Sequence, residues 1–187
     1  MDGVKKLFPS FAPPETWRSE KQDKKLEGDA WRRLREKILE RDDFTCAYCG
    51  YRSEKYQIAD HIDGNPENND YGNLQVVCQT CNLVKHSGMG CVITGAVDLY
   101  GQSDYDQNEV MQITRKMRTE GKNDGEIIAF IGLKGKMPFK QERAYLERLY
   151  GFVTSRPSKT PGDMYNHWLE YQKKNPEATG KQLQQKL

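Results

Sequence analysis

Four cysteines stand in two pairs, Cys46-Ala47-Tyr48-Cys49 and Cys78-Gln79-Thr80-Cys81. A Cys-x2-Cys turn offers two sulfurs at the bite of a tetrahedral soft metal, and two such turns complete the four-thiolate set of a structural zinc, with no open position for chemistry. The 28 residues between the pairs exceed the roughly 15–20 of an ordinary zinc ribbon, so a substructure is expected between the knuckles. Its residues are the reactive ones: Asp60-His61, Asn73, and, just beyond it, Asn82 and His86. Asn82 and His86 stand at i, i+4 and project from one helix face. With Asp60 they make a carboxylate, amide and imidazole set around an open metal position. Oxygen donors suit Mg²⁺ or Mn²⁺, and the imidazole also admits Ni²⁺, Co²⁺ or Zn²⁺.

Those residues need elements to hold them. Asp29 reads as an N-cap before an amphipathic helix over 30–41, whose Trp31, Leu34 and Ile38 make an apolar stripe beside an arginine-rich face. Residues 56–61 alternate as a strand ending on Asp60-His61. Residues 62–72, dense in Asn, Asp, Gly and Pro, form a loop, and 73–78 make the second strand. A helix over 80–86 follows, closed by Ser87-Gly88.

The pattern resembles the HNH family of ββα-metal nucleases in its zinc-bearing, four-cysteine branch. The resemblance lies in Asp60-His61-Ile62, Asn73-Leu74-Gln75-Val76-Val77-Cys78 and Cys81-Asn82-Leu83-Val84-Lys85, with Trp31, Arg41-Asp42 and Cys46-x2-Cys49-Gly50 as lead-in. It covers roughly residues 29–90, about a third of the chain. The family's final histidine position is here Asn82, an H-N-N variant. The resemblance implies that His61 is the general base, that Asp60 and Asn82 hold a catalytic Mg²⁺ or Mn²⁺ with His86 as third ligand, and that Asn73 braces the loop that orients His61. It further implies water attack on a phosphodiester, leaving 5′-phosphate and 3′-hydroxyl, with a monomer nicking and a homodimer cutting both strands of duplex DNA. Lys85 would contact phosphate.

Beyond residue 105 the spacing predicts helices. Val110, Ile113 and Met117 mark the first, residues 126–131 a second, and Pro138 opens a third bearing Phe139, Tyr145, Leu146 and Leu149. Two readings stand for this part: a helix-turn-helix with Phe139–Tyr150 as recognition element, or a plain helical cap on the nuclease core. On the first, Lys134, Lys136, Lys140, Arg143 and Arg148 face DNA, as Arg32 and Arg35 do from the early helix. The expected architecture is therefore α+β. An arm over 1–28 precedes an HNH core with structural zinc over 29–95; a helical, DNA-contacting module covers 105–155, and a C-terminal helix and tail 160–187. His167 is expected at the surface or in packing, and Cys91 as a buried free thiol.

Composition bounds the reading. The 187 residues are 36% hydrophobic and 30% charged, with mean hydropathy -0.91, and no apolar run reaches membrane-spanning length. The start, Met1-Asp2-Gly3-Val4-Lys5-Lys6, lacks a secretory apolar core; with five cysteines this points to a reducing, cytoplasmic setting. Net charge is only +2, but it is unevenly spread. Residues 46–105 carry 3 basic against 7 acidic side chains, and residues 106–187 carry 15 against 10. The rival functional classes are a zinc-stabilised DNA-binding or adaptor protein that no longer cleaves, and an RNA-directed nuclease.

Overall fold

The computed structural model describes residues 4–11, 28–156 and 164–176. They form an α+β protein of two compact units. The first takes in residues 4–5 and 28–82; the second takes in residues 6–11, 83–156 and 164–176. Among the described residues no helix is long and apolar enough to cross a membrane.

The first unit is a helix on a hairpin. Helix α1 (Asp29–Arg41) lays Ile38 and Leu39 against strand β1 (Gln57–His61) and strand β2 (Leu74–Cys78), where Ala59, Leu74 and Val76 complete a small core flanked by Trp31, Leu34 and Phe44. Of the stripe expected from spacing, Ile38 is buried and Trp31 and Leu34 are partly buried against the same core. Asp29, expected to cap α1, instead stands in its first turn and pairs with Arg32 at 3.3 Å, while Gly28 occupies the N-cap without a side-chain bond. The strands are antiparallel, in a register that sets Gln57 opposite Cys78, Asp60 opposite Gln75 and His61 opposite Leu74. The outer edge of β2 is closed by side chains and loop. Asp42 Oδ2 accepts from the Val76 amide at 3.0 Å, Arg41 donates to the Leu74 carbonyl at 2.7 Å, and the Ala47 amide donates to the Val76 carbonyl at 2.8 Å. The β2 edge is thereby kept from offering bare backbone to another chain. Helix α2 (Gln79–Lys85) follows directly from β2.

The second unit departs from expectation. Its centre is a three-stranded antiparallel sheet of order β4-β3-β5, made of β3 (Val97–Gln102), β4 (Lys134–Met137) and β5 (Tyr150–Val153). Two helices with full capping boxes pack on it. Helix α3 (Gln107–Thr119) is capped by Asp106 with Glu109, and α4 (Asp124–Ile131) by Asn123 with Glu126. Tyr100, Val110, Ile127, Ile131, Leu133 and Phe152 form its core.

The all-helical module is therefore corrected, and the helix-turn-helix with it. Of the third expected helix only one turn exists, α5 (Arg143–Leu146), and the chain re-enters the sheet at Tyr150. The physical reason lies in strand length. Val97, Leu99 and Tyr100 of β3 and Gly151, Phe152 and Val153 of β5 are buried in runs of four to six residues without strict alternation, too short for a period to outweigh the helical spacing around them. Helix α6 (Met164–Lys174) closes the unit, with Trp168 buried against Phe11, Phe139 and Tyr171.

Gly132 ends α4 in the left-handed region at φ 71°, and a Cβ there would lie 2.1 Å from Asp104 Oδ2. Gly132→Ala combines left-handed strain of about 1–2 kcal/mol with that overlap. We expect a thermal midpoint several degrees lower, read by circular dichroism, whereas Gly121→Ala, with open space around its Cβ, should carry the strain alone and fall less.

Candidate metal centre and the Asp60–His61 site

The knuckle between α1 and β1 and the junction of β2 with α2 bring all four paired cysteines together. Their Sγ atoms lie within 4.8 Å of one another, and Cys46, Cys49, Cys78 and Cys81 are at most 5% exposed. The first knuckle is shaped by backbone: the Cys46 amide donates to the Tyr51 carbonyl, the Gly50 amide donates to the Cys46 carbonyl, and Gly50 turns the chain at φ 69°. Cys49 and Cys78 sulfurs are 3.7 Å apart. Sulfurs at the corners of a tetrahedron about 2.3 Å from a central zinc are about 3.8 Å apart, the separation this pair already has. The thiols share protons. Hydrogen bonds donated by neighbouring thiols, Cys49 first, bring Cys46 down to about 7, and those from Cys46, Cys49 and Cys81 push Cys78 lower still. Cys49 and Cys81 are pushed up as donors to their neighbours, and by burial. Only a cation lets all four ionise together. Cys91 stands outside the cluster in a π-turn over Gly88–Ile93, its thiol pushed up to about 12 by burial and then by the Asp98 charge.

Asp60 and His61 end β1 and are 5% and 6% exposed. Consecutive strand residues face opposite ways, and their partners differ accordingly. The His61 ring stacks on Trp31 of α1, with centroids 5.8 Å apart and planes 9° from parallel. His61 Nε2 lies 3.0 Å from Asn69 Oδ1. An amide oxygen only accepts, so in this contact Nε2 is the donor. On the other face Gln75 Nε2 donates to Asp60 Oδ2 at 3.0 Å and to the Tyr48 hydroxyl at 2.9 Å, while Gln75 Oε1 accepts from Lys5 Nζ at 2.8 Å. The amide orientation is unambiguous, because an ammonium only donates and a carboxylate only accepts. Burial, then the Asp60 charge, holds the Tyr48 phenol up at about 12, so Tyr48 keeps its proton.

The loop over 62–73 is organised by Asp63. Its carboxylate accepts from Asn73 Nδ2 at 2.9 Å, the Asn65 amide at 2.8 Å and Asn68 Nδ2 at 2.8 Å, which holds its pKa at about 2. Asn73 also donates to the Asn68 carbonyl and accepts from the Asp63 amide, so its bonds span the loop.

The other expected site residues fall as follows. Asn82 is half-buried in α2, and His86 follows that helix in the second unit. Several cations expected at DNA have internal partners. Arg35 donates to the Gln57 carbonyl, Lys136 pairs with Asp98, Arg143 with Glu147 and Arg32 with Asp29, while Lys140 sits over the Tyr145 ring. Lys134 is exposed on β4 and Lys85 ends α2 half-buried. Reading by residue type passed over Gln75, Asn69 and Asp63. The hairpin register, which sets Gln75 opposite Asp60, is the signal that identifies the first.

Residues 46–88 match the family model described as HNH endonuclease. A curated relative, the Type 4 apparatus protein DotN of Legionella pneumophila, is 32% identical over 86 residues, a stretch covering 43% of this chain and 38% of that protein. The chain thus matches well under half the length of this relative.

Two measurements check the site. Cys46→Ala and Cys78→Ala should each lose bound zinc, scored by elemental analysis against about one ion per intact chain, and lose the cooperative melt; retention of both properties would refute the four-thiolate assignment. For the loop, a carboxyl held below its unfolded value of about 3.9 stabilises above that value and loses its effect as pH falls through about 2. The Asn65 amide should therefore keep its exchange protection at pH 5 and lose it between pH 4 and 2, and Asp63→Asn should remove that dependence.

Proposed function

We propose that this chain, carrying an HNH domain at residues 46–88, uses that domain as a metal-braced assembly module in an apparatus of the kind its relative DotN is named for, rather than to cut nucleic acid. The observation that carries the reading is the closure of the Asp60–His61 site. Both side chains are nearly inaccessible, one held by Gln75 and the other by Asn69 and Trp31. Phosphodiester hydrolysis needs a base and a cation that meet the same phosphate. Here the implied base and metal ligand have partners on opposite faces of β1.

The divalent ion that the HNH resemblance implies would rest on Asp60 and Asn82. Its fit to Asp60 is poor, since Oδ2 already faces an amide N–H with a lysine behind it. The zinc fits far better: Cys46, Cys49, Cys78 and Cys81 would hold it, and bound there it supplies folding free energy rather than chemistry. The paired cations on both units also reduce the charge free for duplex DNA, because a cation already neutralised releases fewer counterions on binding.

A second reading, a metal-dependent nuclease acting on DNA as a monomer or homodimer, is favoured by one specific observation. Asp60, His61, Asn73 and Asn82 are all present in motif order, and a carboxylate and an imidazole each held by a hydrogen bond also describe a preorganised site. RNA in place of DNA would use the same chemistry. Supercoiled plasmid and single-stranded RNA with Mg²⁺ or Mn²⁺ separate the readings. The assembly role predicts intact substrates under every metal. Nicking that EDTA and His61→Ala both abolish would overturn it in favour of the nuclease.

A further inference from the structure

We infer that the Lys5–Gln75 pair occupies the place of a divalent cation on Asp60, so that Asp60 is the carboxylate of a latent metal site held shut by a side-chain relay. The inference rests on the reading of the HNH site as closed, and explains what closes it. A buried carboxylate must be compensated, by a cation or by hydrogen bonds to its charged form. Gln75 supplies such a bond. It is 2% exposed, both of its amide hydrogens are committed, to Asp60 and to Tyr48, and its oxygen takes the Lys5 ammonium. The relay therefore carries the polarity of a positive charge to Asp60 through one amide: ammonium, amide oxygen, amide N–H, carboxylate. A metal ion would present the same polarity directly.

The relay is reachable. Lys5 and Gln75 line an open depression of about 670 Å³ together with Leu74, Ile62 and Ala47, which gives solvent ions a route to the amide. Lys5 is itself tethered, its backbone N–H donating to the Ala47 carbonyl at 2.7 Å, between Cys46 and Cys49 of the first knuckle. The backbone of Lys5 is thus held to the knuckle, from which its ammonium reaches Gln75 Oε1.

Shortening Gln75 removes its bond to Asp60 Oδ2 and leaves space beside that oxygen. The test uses the full zinc-loaded chain and Mn²⁺, whose binding is counted by the loss of the free-ion electron paramagnetic resonance signal, read beside the plasmid assay of the wild type. Wild type should bind no Mn²⁺ that depends on Asp60 at millimolar concentration. Gln75→Ala should gain one equivalent at least tenfold tighter, and Gln75→Ala with Asp60→Asn should lose it again. Lys5→Met removes only the charge, from an exposed side chain, and should gain several-fold; it serves where Gln75→Ala fails to keep its zinc. Equal Mn²⁺ affinity in wild type and a folded Gln75→Ala protein, or no gain in Lys5→Met where only that variant folds, would overturn the inference. Substrates left intact by wild type together with no gain in the variants would defeat the relay alone, whereas Asp60-dependent Mn²⁺ binding and nicking by wild type would defeat the assembly reading with it.

Discussion

Four cysteine thiols brought within 4.8 Å of one another are the constraint on which the first unit depends. The apolar core beneath α1 holds five buried residues, too few to offset the entropy of ordering a unit of this size. The knuckle at Cys46–Cys49 and the β2–α2 junction at Cys78–Cys81 are far apart in sequence, so an ion shared between them closes a long loop and lends its binding energy to folding. Everything that resembles an active site hangs from that closure. The hairpin register places Asp60 and His61, the knuckle places Tyr48 and, through Ala47, Lys5, and the loop spans from one strand to the other on Asp63 and Asn73.

A fold built this way can outlast its chemistry. Four cysteines placed to hold one ion, a capped β2 edge and an Asn–Asp loop brace all serve stability. None requires that a phosphate reach His61. The same hydrogen bonds that preorganise a nuclease also satisfy buried polar groups in a scaffold. What would separate the two uses is access: the His61 ring lies against Trp31, and Lys5 Nζ donates to the Gln75 amide that holds Asp60.

Legibility followed the range of the interaction. The Cys-x2-Cys pairs, the strand ending on Asp60-His61 and the apolar stripe of α1 are local patterns; the structure gathers the cysteines, forms the strand over Gln57–His61 without alternating burial, and buries Ile38 of the stripe with Trp31 and Leu34 partly buried beside it. The second unit was harder because its strands are four to six residues long and lie apart in sequence, with β3 pairing across 97–102 to 134–137 and 150–153. The run from Phe139 to Tyr150 has helical spacing, yet Leu146, Leu149 and Phe152 are buried as the chain turns into β5. At the site, residue types picked out the groups able to react but not the ones that hold them. Gln75, Asn69 and Asp63 carry no reactive signature, and their importance comes from partners 15, 8 and 10 residues away.

Zinc K-edge X-ray absorption on the intact chain tests the central claim most directly, because it reads the ion's own neighbours without altering a residue. The account expects a single shell of four sulfurs at about 2.3 Å with no nitrogen or oxygen ligand. A mixed shell that includes an imidazole nitrogen or a carboxylate oxygen, or a chain that folds without the ion, would contradict it.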